Sequence, residues 1–86
     1  MGLQVPISVD DVCAALREAI AAALPDAQVR VTPNSPGHFE IEVVAAAFAG
    51  KSMVQQQQLV YGAIKQLMAG DGAPVHAVDR LRTKTP

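Results

Sequence analysis

The amino-acid sequence predicts an α+β domain in the order helix–strand–strand–helix–helix–strand, with a three-stranded mixed sheet. Three observations predict it. Apolar residues recur every three or four positions from Val12 to Leu24, the period of a helix with one buried face. Residues 27–32 and 39–43 alternate apolar and polar on either side of a turn rich in proline and glycine, the pattern of an antiparallel hairpin. A further helical stretch then precedes a third alternating run, and a crossover of that length permits parallel pairing.

The first helix starts at Ser8-Val-Asp-Asp11. Ser8 is suited to the N-cap, and Asp10 and Asp11 favour the positive end of the helix dipole. Asp11 also holds the capping-box position, where Glu or Gln is usual. Val12, Leu16, Ala19, Ile20, Ala23 and Leu24 form the apolar face, and Pro25-Asp26 ends it. Cys13 lies beside that stripe and reads as a small buried hydrophobe. Val29 and Val31 share one side of the first strand, with Gln28 and Arg30 on the other. Pro33 to Gly37 is a turn by composition. In the second strand Phe39, Ile41 and Val43 oppose Glu40 and Glu42, and Phe48 anchors the exit from the sheet. Ser52 opens the next helical region. Val54 and the first glutamines are expected as a separate short turn or helix, and Leu59, Val60, Ala63, Ile64, Leu67 and Met68 as the face of a helix from about 56 to 69. Gly62 within it weakens helix propensity by about 1 kcal/mol, which suggests close packing there. Gly70 to Pro74 ends the helix. A third strand is expected from Val75 to Arg82, with Val75, Ala77, Asp79 and Leu81 on one face and His76, Val78, Arg80 and Arg82 on the other. Residues 1–7 are expected to be flexible and 83–86 to form a C-terminal tail.

The chain of 86 residues holds one core, and a domain of this size buries about 60–65% of its unfolded surface. Half of its residues are apolar, but largely Ala and Val; with one Tyr, two Phe and no Trp, little is available to line a deep substrate pocket. The formal net charge of −1 argues against strong binding to nucleic acid, which needs an excess of Lys and Arg. A lone Cys13 excludes an intramolecular disulfide and a multi-cysteine metal site within one chain, and a reducing cytosol is the simplest home. The first six residues lack the pattern of a signal peptide, and Ala14–Pro25 is too short and charged to span a membrane. No paired carboxylates, nucleophile–base pair or phosphate loop stands out, so no enzyme is expected.

From His38 to Thr85 the chain carries a suggestive series: a strand entered through His38-Phe39, a Phe48-Ala-Gly50-Lys51-Ser52 turn, a glutamine block ending in Leu59-Val60-Tyr61, and Val75-His76-Ala77-Val78. In order and spacing this resembles the BolA family of small stress-morphogene and iron–sulfur partner proteins, most closely its short bacterial IbaG-like branch. The resemblance implies a type-II KH-like fold. Family members usually continue with a helix beginning at Thr-Pro; here Thr85-Pro86 supplies that start and the chain stops.

Taken blindly, His76 is a surface or packing residue as readily as a ligand. The resemblance implies that it ligates a [2Fe–2S] cluster shared with a monothiol glutaredoxin and assisted by glutathione; a neutral imidazole can replace thiolate on one iron. Many members carry a Cys or His in the loop between the first two strands, where this chain has Ser35, a poor iron ligand. His38 is the nearby alternative, and its other reading is an exposed strand-edge histidine. Arg80, Arg82 and Lys84 make a basic strip that suits an acidic partner or the carboxylates of glutathione. Lys51, Gln55, Gln56, Gln58 and Lys65 form either a solvated face or a docking surface, since glutamine can read adenine edges. The Gly-x-x-Gly clamp of nucleic-acid-binding KH domains is absent. The leading expectation is a cytoplasmic, non-enzymatic glutaredoxin partner, monomeric or weakly dimeric when alone. The alternatives are a DNA-binding regulator using a helix-turn-helix-like region at 52–69, or a metal-free protein adaptor.

Overall fold

Two capping boxes set the starts of both helices. The structure, a computed structural model, describes residues 8–86, so the expectation for residues 1–7 lies outside the described residues. In helix α1 (Val9–Ala23) the Ser8 hydroxyl accepts from the Asp11 amide while the Asp11 carboxylate accepts from the Ser8 amide. Aspartate therefore does the work usually given to Glu or Gln. Asp26, at φ 69°, turns the chain into strand β1 (Gln28–Pro33), a backbone conformation that Asp tolerates better than most residues. Strand β2 (His38–Val44) pairs with β1 antiparallel, with Val29 opposite Val43 and Val31 opposite Ile41.

A 3-10 turn (Ala46–Phe48) leads to helix α2 (Met53–Met68), which is continuous through the glutamine block. The expected division into two helical pieces is thus corrected. Ser52 and Gln55 make a second capping box that starts the helix at Met53, and glutamine is a good helix former, so nothing interrupts the turns that follow. Gly62 is exposed, and a Cβ placed on it would meet nothing within 4 Å, so the close packing expected there is absent.

Strand β3 (Ala77–Lys84) joins the other edge of β2 in parallel, giving the order β1-β2-β3. It starts two residues later than the sequence pattern suggests, because Val75 is buried and its amide is taken by the Leu67 carbonyl at the end of α2. It also runs through the expected tail: Thr83 is buried and pairs with Val43, and Lys84 pairs with Val44. Strict alternation fails in this strand. Phe39 is opposite Val78 but Glu40 is opposite Arg80, so Asp79 is an extra residue in a bulge. The bulge resets the parity, putting Val78, Leu81 and Thr83 on the core side, and Arg80, Arg82 and Lys84 beside Glu40, Glu42 and Val44 on the open side.

Both helices pack on one sheet face, α1 over β1 and α2 over β3, and against each other. Between them lie Leu16, Ile20, Ile41, Val43, Phe48, Val60 and Ile64, all buried. Cys13 is buried in the same cluster, as its place beside the apolar stripe suggests. No described helix is long and apolar enough to cross a membrane.

Candidate functional site

The β1–β2 turn and the entry to β3 meet at Gly37. Its carbonyl accepts from both the His76 amide (2.8 Å) and the Ala77 amide (3.1 Å), which fastens the start of β3 to the turn. The His76 ring rests against the α-carbon of Gly37: a Cβ there would lie 2.5 Å from Nδ1 and 2.7 Å from Cγ. Gly37 also has φ +79°, so two independent demands select glycine. Buried Val75 anchors the backbone on one side of His76 and the sheet anchors it on the other, leaving the ring exposed. Among the described residues neither nitrogen of that ring has a side-chain partner.

His38 is the next residue after Gly37 and begins β2 on the open face, opposite buried Phe39. Its Nδ1 lies 2.9 Å from Asp79 Oδ1, and the two side chains are 40% and 39% exposed. Asn34 Nδ2 donates to the other carboxylate oxygen at 3.0 Å. The hydrogen bond from His38, reinforced by that from Asn34, holds the Asp79 carboxyl below the usual range for Asp. An ionised carboxylate only accepts, so this contact calls for a proton on Nδ1 of His38.

The turn is itself closed by hydrogen bonds from the His38 amide to the Ser35 carbonyl and from the Asn34 amide to the His38 carbonyl. Ser35 is exposed on it. Sequence reasoning missed Asp79, Asn34 and Gly37. The one signal for Asp79 is an acid standing alone before Arg80 and Arg82; the bulge that turns it toward His38 leaves no mark in the local pattern.

Among the described residues no three His, Cys, Asp or Glu side chains converge on a point that could hold a metal ion. The imidazoles at this end of the sheet are that of His38, next to Gly37 in sequence, and that of His76, whose ring rests against Gly37. Imidazole is of the right softness for iron in a cluster whose other positions are filled by thiolates, so the donor set fits a shared centre.

Arg80 and Arg82 follow along β3 and line an open hollow on the sheet with Arg30, Thr32, Glu40 and Glu42. In register, Arg30, Glu42 and Arg82 form one row, and Thr32, Glu40 and Arg80 the next. Lys84 Nζ lies 3.9 Å from Glu42 Oε2, a distance typical of a loose surface pair. Lys51, just before α2, and Gln55, Gln58 and Leu59 on it border another hollow, while Lys65 is exposed in the last turn. Gln55 is engaged in the capping box. Gln56 is tied inward: its Nε2 donates to the Lys51 carbonyl at 3.0 Å and its Oε1 accepts from Thr83 Oγ1 at 2.7 Å. Because 52–69 holds one continuous helix, it does not form the two-helix element that a helix-turn-helix comparison requires.

A sequence profile for the family described as BolA-like protein matches residues 13–86. The chain is 39% identical over 56 residues to BolA-like protein 1 of Bos taurus, a match covering 65% of this chain and 38% of that protein. The matched region is thus well under half the length of that curated relative. The solution structure of the BolA1 protein from Mus musculus superposes with a TM-score of 0.70 at 30% identity, covering all of this chain and 74% of that one. The BolA domain of SufE1 from Arabidopsis thaliana has the same fold, with a TM-score of 0.72 at 23% identity over 92% of this chain and 96% of that one.

Proposed function

The chain belongs to the BolA-like family, and from that premise we propose that it works by binding, without catalysis, as the cytoplasmic partner of a monothiol glutaredoxin, holding a glutathione-assisted [2Fe–2S] cluster between the two proteins. The observation that carries this reading is the exposed His76 ring, fixed against Gly37 by the two amide bonds beneath it, with neither nitrogen bonded to a side chain among the described residues. His38, the residue after Gly37, engages Asp79 through Nδ1 and offers Nε2 as a second donor. Two imidazoles do not fill a metal site, and no three such donors converge among the described residues, so the remaining ligands come from the partner's cysteine and glutathione.

When bound, the cluster supplies one-electron redox chemistry. This chain's part is to present neutral imidazole at a fixed place, and imidazole ligation raises the potential of such a centre and makes it sensitive to acid. Arg80 and Arg82, on the face that His38 shares, supply cations for the carboxylates of glutathione or of the partner. Iron–sulfur trafficking or iron sensing in a stress response is the role that this chemistry suits.

The test is anaerobic reconstitution of the chain with a monothiol glutaredoxin, glutathione, iron and sulfide, read by visible absorption and circular dichroism. The expected result is a heterodimer spectrum distinct from that of the glutaredoxin homodimer and lost in His76→Ala. Association that persists unchanged in His76→Ala without a cluster would favour a metal-free adaptor, for which exposed Val54, Leu59 and Tyr61 on α2 provide a surface.

A further inference from the structure

The hydrogen-bonded chain from Asn34 through Asp79 to His38 joins three separate parts of the fold and belongs to no packing requirement of the core. Asn34 is in the β1–β2 turn, His38 opens β2, and Asp79 is the one residue of β3 with no partner in the parallel register. A bulge costs ladder hydrogen bonds and is typically found where a side chain is re-aimed. Here it aims a carboxylate at an imidazole, and a second donor fixes the carboxylate.

We propose that Asp79 is a positioning residue: with Asn34 as its brace, it holds His38 in the Nδ1–H tautomer and fixes the ring so that Nε2 faces outward as a metal ligand. The inference rests on the cluster-binding reading and deepens it by deciding between the two roles open to His38. The physical basis is general. A ligating histidine almost always donates its other ring N–H to a carboxylate or carbonyl, which selects the tautomer, fixes the ring plane and increases the basicity of the ligating nitrogen. His76 has no such brace among its side-chain neighbours; its ring is fixed by contact with Gly37 instead. The two histidines therefore differ in kind, one placed by packing and the other by a carboxylate. Ser35 supplies no ligand from the turn, and Asn34 beside it does its work one step removed.

The first measurement is long-range proton–nitrogen correlation NMR of the 15N-labelled chain, metal-free, under conditions where His38 is neutral. Wild type is expected to show His38 as Nδ1–H. Asp79→Ala should shift it toward Nε2–H. Asp79→Asn should retain Nδ1–H, because an amide oxygen still accepts and the Asn34 amide can turn over to meet the new NH2. An Nε2–H ring in wild type, or a tautomer indifferent to Asp79→Ala, overturns the proposal.

The second measurement is the half-life of the reconstituted cluster complex against a chelator. Loss of such a brace typically weakens metal binding about 10–100-fold, so Asp79→Ala should shorten the half-life by a factor in that range, with Asp79→Asn restoring most of it. Pulsed EPR of the reduced complex with 15N-histidine in this chain should count two coupled imidazole nitrogens in wild type. A half-life unchanged in both Asp79→Ala and His38→Ala would overturn the proposal while leaving His76 as a ligand. Failure of wild type to form any mixed complex would sink the cluster reading instead, and the tautomer would still decide whether Asp79 governs His38.

Discussion

Gly37 bears two functions in one residue, because the same α-carbon makes a positive-φ turn and serves as the floor for His76. Gly37→Ala should destabilise the fold by about 1–2 kcal/mol from backbone strain alone, measured by urea denaturation. It should also displace the imidazole, since Cγ of His76 lies too close to the new methyl group to be relieved by a small rotation. Chemical shifts of the His76 ring should therefore move well beyond those of other surface residues. Asp79 makes a different prediction. Its carboxyl is held below its ordinary value chiefly by His38 and secondarily by Asn34. A group lowered in the folded state contributes stability above its unfolded value, near 3.9, and loses it as pH falls through the lower folded value. Asp79→Asn should flatten that part of the acid limb in the metal-free chain, measured as the denaturation midpoint from pH 5 to pH 2. The histidines were legible as candidates because His is rare here and each stands at a strand entrance. Asp79 was not, because its role depends on a bulge created by three-dimensional pairing.

Helix α2 shows how a local signal can be present yet misweighed. Ser52 and Gln55 spell out a capping box, and the glutamines after them favour helix, yet uniform polarity conceals the helical period until Leu59. The apolar face alone therefore places the start of the helix too late. Gln56 is the exception within the block. It reaches Thr83 on β3, whose buried hydroxyl donates to Gln56 Oε1 at 2.7 Å and has only the weak thioether acceptor Met53 Sδ, at 3.3 Å, besides it. Gln56→Ala should cost about 1 kcal/mol, the usual net worth of a hydrogen bond, since the hydroxyl keeps only the weak Met53 thioether as acceptor. Thr83→Val in that background should recover part of the loss, because the hydroxyl left with only a thioether acceptor is then gone. A double-mutant cycle by denaturation measures this coupling, and additive effects would disprove it. Gly62→Ala should act in the opposite direction. The position is helical, exposed and free of neighbours, so the substitution should stabilise α2 by about 0.5–1 kcal/mol. A loss of partner binding in this more stable variant would show that the bare backbone is a contact surface.

At the scale of the whole molecule, periodicity was enough to predict the first helix, the antiparallel hairpin and the parallel crossover, though not the single helix between β2 and β3, because one sheet face is covered by helices and the other is open. The open face also settles how charge should be weighed. Net charge is −1, but the sheet segregates it: Arg30 on β1 and Arg80, Arg82 and Lys84 on β3 border the acidic line of Glu40 and Glu42 on β2. A phosphate backbone approaching this surface meets carboxylates between the guanidinium groups, so the cations cannot act as one continuous track. Helix α2 offers only Lys65 within its length. Binding to duplex DNA should accordingly be no tighter than the non-specific range, about 10⁻⁴–10⁻⁶ M at physiological salt, with a shallow dependence on salt. Fluorescence anisotropy of labelled duplexes across a salt series measures both quantities. Tight binding with a steep slope would favour the regulator over the cluster partner, and Arg80→Glu with Arg82→Glu would then abolish it. Weak, shallow binding leaves the segregated charges to a smaller partner, one whose carboxylates can engage a single arginine strand without reaching the acidic line.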